Sequence, residues 1–176
     1  MDTANILGGN GKQPRKAHDF YPTPPEATLA LLRFMEIPKK SIIWEPAAGD
    51  GAMADVFISE GYTVISTDIT TGTDFLSHPG FLCDWIITNP PFSCADEFIK
   101  HALELDRPFA YLLKSQFWHA AKRRKLFEQY PPDFVLPLTW RPDFTGQGSS
   151  LMDVIWCVWS RPHTGATIYK PLSKPY

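Results

Sequence analysis

The chain has 176 residues, within the span of one domain and short of two. Hydrophobic residues make up 44% and charged residues 20%, which excludes a largely disordered chain, and a net charge of −2 excludes coating of nucleic acid by bulk charge while leaving room for a local basic face. No apolar run reaches the roughly 18 residues of a membrane span and residues 1–18 lack the apolar stretch of a signal peptide, so a cytoplasmic protein with no membrane partner is expected.

In chain order, residues 1–17 combine Gly8, Gly9, Gly11 and Pro14 with Lys12, Arg15 and Lys16, a composition that reads as a mobile, mildly basic arm ahead of one domain over 18–176. Thr23-Pro24-Pro25-Glu26 has the form of a capping box with proline in the first turn, which predicts a helix over 24–35. Beyond it the chain alternates. Strands are expected at 41–45, 63–68, 81–88, 109–114, 133–136 and 153–159, and helices at 52–60, 94–105 (Ser93 as cap) and 116–129. Near-continuous apolar strands separated by helices indicate an α/β fold, a doubly wound and mainly parallel sheet with helices on both faces. In such folds ligands sit at the carboxyl ends of the strands.

Cys83, Cys94 and Cys157 are odd in number and widely spaced, and read as reduced, buried thiols. The five histidines lack metal-ligand spacing, so no metal is expected.

The first expected strand runs into Glu45-Pro46-Ala47-Ala48-Gly49-Asp50-Gly51 and then a helix. Glycines in such a turn let backbone approach a ligand, although a tight turn alone would also use them. Gly49 to Ala54 formally fits a dinucleotide loop, but Glu45 and Asp50 put carboxylates where a pyrophosphate would bind. A cationic sulfonium and amino group suit that field better, which points to S-adenosylmethionine. Asp68 ends the next strand where such folds place a carboxylate on ribose hydroxyls. Asp74 and Phe75 could meet an adenine by its amino group and its face; as a lone dipeptide they equally fit a plain turn.

Asn89-Pro90-Pro91-Phe92 follows the strand at 81–88. Consecutive prolines lock an extended loop at the sheet's carboxyl edge, though Asn-Pro is also a common turn. An aromatic amine is a poor nucleophile because its lone pair is delocalised. The Asn89 amide oxygen and the Pro90 carbonyl can accept its two N–H groups and draw the nitrogen toward sp3 geometry, while Phe92 offers a face for stacking the base, worth about 1–3 kcal/mol.

With these motifs the sequence resembles the class I S-adenosylmethionine-dependent amino-methyltransferases. Tyr21-Pro22-Thr23-Pro24, the Glu45–Gly51 loop and Asn89-Pro90-Pro91-Phe92 occur in that order, and the segment from Arg141 to Gly148 followed by Trp156-Cys157-Val158-Trp159 is similar to small phage and prophage DNA N6-adenine methyltransferases. The resemblance implies a Rossmann-like, seven-stranded sheet of order 3-2-1-4-5-7-6 with an antiparallel final strand. It implies that Tyr21, Pro22 and Thr23 hold the methionine carboxylate, the loop of Glu45, Pro46, Ala47, Gly49, Asp50 and Gly51 its amino end, Asp68 the ribose, and Asp74 and Phe75 the adenine. The implied activity is methylation of a base amino group, adenine N6 in DNA, in the cytoplasm of a bacterium or phage-infected host. The 17 residues beyond Trp159 are too few for a target-recognition domain. The enzyme is therefore expected to be promiscuous, to read a very short site, or to gain specificity as a homodimer or from a partner protein.

Lys122-Arg123-Arg124-Lys125 is the expected phosphate-binding patch, with a solvated helix face as the alternative. Phe117 and Trp118 either border the base pocket or belong to the core. The loop at 138–152 is expected to close over substrate, with Arg141 on DNA or in a structural ion pair. Rival functions are RNA adenine, cytosine N4 or protein glutamine methylation, a catalytically idle cofactor- or nucleic-acid-binding module, and an NAD-dependent oxidoreductase.

Overall fold

Helix α1 (Pro25–Met35) lays Ala27, Ala30, Leu31 and Leu32 on the sheet and is pinned there by the buried Trp156 indole, which donates to the Ala27 carbonyl at 2.9 Å. The computed structural model describes residues 21–148, 152–163 and 165–176; the expected basic arm at 1–17 lies outside them. The capping box does not form. Pro24 takes the cap position without a side-chain bond, and the Thr23 hydroxyl is engaged elsewhere, as described below.

The remaining elements are β1 (Ile42–Glu45), α2 (Ala52–Ser59), β2 (Thr63–Ser66), β3 (Trp85–Thr88), α3 (Ala95–Glu104), β4 (Phe109–Lys114), α4 (Arg124–Gln129), β5 (Phe134–Pro137), β6 (Val154–Trp159) and β7 (Ile168–Tyr169). They form one seven-stranded sheet of order β2-β1-β3-β4-β6-β5-β7. β2, β1, β3 and β4 run parallel, β6 is antiparallel to β4 and β5, and β7 is parallel to β5. All six residues of β6 are buried, so the sheet centre is apolar on both faces, as in an α/β layered fold.

Three expectations are corrected. The implied strand outside β2 is absent among the described residues; the chain there makes two 3-10 turns, Ile69–Thr71 and Phe75–Ser77. The seventh strand is instead β7, made by the segment beyond Trp159, where Leu172 is buried and bridges Leu138. The strand expected at 81–88 begins only at Trp85, because Phe81 stacks on His78 with ring centroids 4.3 Å apart and the Asp84 carboxylate accepts the Ile42 amide at 2.7 Å, capping β1.

The helix expected at 116–129 is also broken, into 3-10 turns at Ser115–His119 and Ala121–Arg123 followed by α4. Phe117 is buried beneath Arg123 while its neighbour Trp118 stacks on Phe127 at 4.0 Å. Packing of both adjacent rings on Phe127 of α4, Phe117 edge-on at 5.7 Å and Trp118 stacked, overrides helix propensity here.

β1 connects through α2 to β2 on one side, and the chain then crosses to place β3 on the other. The crevice above the carboxyl ends of β1 and β3 is therefore the topological switch point, where open α/β sheets bind ligands.

Candidate active site

The loop that leaves β1 turns back through two residues with positive φ, Gly49 at 56° and Gly51 at 89°, before entering α2. A side chain is strained in that region, which is why glycine stands there. A Cβ on Gly51 would meet nothing within 4 Å, so its role is conformational, and Gly49 is the one that faces the crevice. The Asp68 carboxylate braces the turn: Oδ2 accepts the Gly49 amide at 2.9 Å, and Oδ1 accepts both the amide and the hydroxyl of Thr70.

A cavity of about 800 Å3 occupies the switch point. Its walls bring together Tyr21, Pro22 and Thr23 ahead of α1, Glu45 through Asp50 after β1, Asp68 through Thr70 after β2, Asp74 through Leu76, and Asn89 and Pro91 after β3. Of the expected cofactor and catalytic residues, Gly51, Pro90 and Phe92 are not in this wall. Phe75 belongs to it only as part of the core: its buried ring packs on Trp44, Phe98 and His101 at 4.7–5.2 Å between centroids. It is wedged among these neighbours rather than laid open for an adenine.

Four lining residues are carboxylic acids, Glu45, Asp50, Asp68 and Asp74, and none of the described lining residues is Lys, Arg or His. Glu45 is strongly perturbed. Burial, with smaller contributions from the charges of Asp50 and Asp68 and against the Ala54 amide, pushes its carboxyl up to about 8, and its Oε2 is buried without a partner among the described residues. A cation placed beside it would favour ionisation; an anion would be repelled.

Asn89 stands at the end of β3, held by the segment before α1. Its Nδ2 donates to Thr23 Oγ1 at 3.1 Å and toward the Tyr21 carbonyl at 3.5 Å. A carbonyl can only accept, so the amide nitrogen must face it and the amide orientation is fixed. Asn89 Oδ1 is thereby left buried and, among the described residues, without a partner. In the same loop the Pro91 carbonyl is taken by the Cys94 amide at 3.1 Å, whereas the Pro90 carbonyl has no hydrogen-bond partner among the described residues. Phe92 is half-buried, with the Tyr21 ring 6.3 Å away and the Lys114 ammonium 4.3 Å over its face.

Sequence reasoning missed Ile69 and Leu76, which border the cavity with 62% and 37% exposure. An apolar residue directly after Asp68, the carboxylate that follows β2, was the available signal. Cys94 was also misjudged: it is half-buried and lines the cavity, while Cys83 and Cys157 are buried.

The basic cluster divides. The Arg123 guanidinium, 16% exposed, pairs with Asp96 on α3 at 2.7 Å and lies 4.0 Å over Phe117, so it ties this segment to the helix that follows the Asn89 loop. Lys122, Arg124 and Lys125 are exposed, with Arg124 in an i,i+4 pair to Glu128. Arg141 forms an exposed ion pair with Asp153 at 2.7 Å. In the loop after β5, Pro142 and Phe144 are buried and the Asp143 carboxylate gathers the amides of Thr145, Gly146 and Gly148, so this part is anchored to the body rather than free. Residues 149–151 lie outside the described residues. Among the described residues no cluster of three His, Cys, Asp or Glu could hold a metal ion, and no helix is long and apolar enough to cross a membrane.

No family model matches the sequence, and no curated protein matches it. Solved structures do. A type I restriction enzyme modification subunit from Vibrio vulnificus superimposes with a TM-score of 0.61 at 13% identity, covering 89% of this chain and 48% of that one. The methyltransferase subunit of a type I restriction-modification system from Streptococcus thermophilus gives 0.61 at 11% identity, over 86% and 47%. A class I S-adenosylmethionine-dependent methyltransferase from Listeria monocytogenes gives 0.58 at 12% identity, over 92% and 68%. The fold is therefore the Rossmann-like fold of the S-adenosylmethionine-dependent methyltransferases. The chain spans about half the length of the two restriction-modification subunits.

Proposed function

We propose that this chain transfers a methyl group from S-adenosylmethionine to the exocyclic amino nitrogen of a nucleic-acid base, adenine N6 in DNA. The observation that carries the reading is Asn89 Oδ1, held in place by Thr23 and without a partner among the described residues, beside a cavity walled by four carboxylates and no described cation.

The cavity suits the cofactor. Its volume and acidic wall favour a ligand with a sulfonium and an ammonium, and disfavour the pyrophosphate of a dinucleotide. Glu45 Oε2 is the acceptor for the amino end, with Tyr21, Pro22 and Thr23 at the methionine carboxylate. Asp68 and Asp74 stand at the ribose and adenine ends, and Ile69 rather than Phe75 offers the exposed apolar surface for the adenine ring. Bound there, S-adenosylmethionine supplies an electrophilic methyl on a positively charged sulfur.

The chain's own contribution is to prepare the amine. Asn89 Oδ1 and the Pro90 carbonyl accept its two N–H groups, localising the lone pair on nitrogen. The rigid proline pair keeps these acceptors in place while the C–N bond forms and the C–S bond breaks; fixed dipoles of this kind are worth about 3–4 kcal/mol each to a reaction. Phe92 stacks the extruded base. The surplus proton leaves to water after transfer, since the methylated ammonium is strongly acidic, so no general base is required.

Lys122, Arg124 and Lys125, tethered beside α3 through Arg123, supply phosphate contacts, which favours nucleic acid over protein as substrate. RNA is the second reading, because an RNA methyltransferase from Pyrococcus horikoshii shares the fold with a TM-score of 0.53. Parallel incubation of DNA, RNA and protein with methyl-labelled S-adenosylmethionine tests the proposal. Label in DNA supports it, label in RNA selects the second reading, and label in protein alone contradicts both.

A further inference from the structure

We propose that Lys114 is a substrate-positioning residue, holding the backbone phosphate beside the base that enters the Asn89 loop; this rests on the nucleic-acid reading above. Lys114 ends β4 at the same carboxyl edge as Asn89. The register pairs Thr88 with Tyr111, so Lys114 reaches beyond the last residue of β3 to the level of the loop that follows it. Across β6 it pairs with Val154, and the next residue, Ser115, donates its amide to the Asp153 carbonyl at 2.9 Å, which places Lys114 beside the Arg141–Asp153 pair.

Its ammonium has no carboxylate at ion-pair distance among the described residues. Instead it rests 4.3 Å from the centroid of the Phe92 ring. A cation over a phenyl ring at a partly exposed site is weakly held, whereas a charge-assisted bond to phosphate is roughly twice as strong as a neutral one. A polyanion can therefore draw the ammonium off the ring, and a base stacked on that face requires it to leave. Asn89 Oδ1 is closed to water in this state, so side chains around the loop must shift before an amine reaches it. Lys114, over the Phe92 ring, is a charged side chain beside that loop. Without nucleic acid it rests on Phe92, and with nucleic acid bound it holds the phosphate flanking the extruded nucleotide.

The test uses the full chain with saturating S-adenosylhomocysteine and a fluorescein-labelled single-stranded oligodeoxynucleotide, titrated by anisotropy at several salt concentrations. Lys114→Met keeps the apolar stem and removes the charge; Lys114→Arg keeps the charge. The expected result is roughly tenfold weaker binding by K114M, a slope of log affinity against log salt lower by about 0.7, the share of one single-strand phosphate, and restoration of both by K114R. Loss of affinity with an unchanged slope, or no rescue by K114R, would mark a packing role and overturn the proposal. Wild-type affinity and slope in K114M, from a protein that methylates DNA, would overturn it while leaving the function intact. If the wild type methylates neither DNA nor RNA, the proposal falls together with the function it rests on.

Discussion

Thr23 accepts a hydrogen bond from the Asn89 amide nitrogen at 3.1 Å, and this one contact makes the hydroxyl just ahead of α1 the device that orients the amide of the β3 loop. Thr23→Val keeps the shape and removes the acceptor. Methyl transfer by T23V should fall about tenfold in kcat, one neutral hydrogen bond's worth, with little change in KM for the nucleic acid, and T23S should recover most of it. Steady-state kinetics of the three proteins decide; a T23V enzyme with wild-type kcat would show that Asn89 does not depend on Thr23.

Asn89→Ala removes the acceptor itself. Transfer should drop by at least a hundredfold, while calorimetric affinity for S-adenosylhomocysteine stays within about threefold, because the carboxylates of the wall are untouched. Equal loss of both would make Asn89 a cofactor or structural residue.

Glu45 gives a pH dependence whose sign is fixed by its environment. Its folded-state carboxyl sits at about 8, above the usual 4.5, so the folded protein holds the proton more tightly than the unfolded chain. The associated stability is present below pH 4.5 and is lost as pH rises toward 8. Thermal melting of the ligand-free protein should therefore fall across that window, and Glu45→Gln should flatten this component. Affinity for S-adenosylmethionine should rise over the same window in the wild type, since the ionised carboxylate is the form that receives a cation, and E45Q should lose that rise. Parallel pH profiles for the two proteins would reject the assignment.

Arg123 and its neighbours should separate by phenotype. Arg123→Ala leaves Asp96, 20% exposed, without its partner and should lower stability by about 2 kcal/mol, seen as a reduced melting temperature. The triple change of Lys122, Arg124 and Lys125 to Ala should leave the melting temperature nearly unchanged and reduce the salt slope of single-strand binding by about two. The reverse pattern would remove this segment from the nucleic-acid interface.

Much of this was legible in the sequence because the signals are local. Alternation of apolar strands with helices gave the layered fold, and Gly49, Gly51 and the prolines after Thr88 marked the turns where strands end at the crevice. What was hidden depends on partners distant in the chain. Thr23 reads as a cap until Asn89, 66 residues away, takes its hydroxyl. Residues 116–129 read as one helix until Phe117 and Trp118 both close on Phe127, and Arg123 reads as a phosphate ligand until Asp96 is brought beside it. β7 has only two residues, both exposed, and exists because β5 offers it an edge.

The central claim is that the Asn89 loop prepares an amino nitrogen of a base for attack on the sulfonium methyl. Nucleoside mass spectrometry of DNA treated with the purified protein and methyl-labelled S-adenosylmethionine addresses it directly. The account predicts labelled N6-methyladenine that disappears with Asn89→Ala; label on a ring carbon or ring nitrogen, or N6-methyladenine undiminished in N89A, would contradict it.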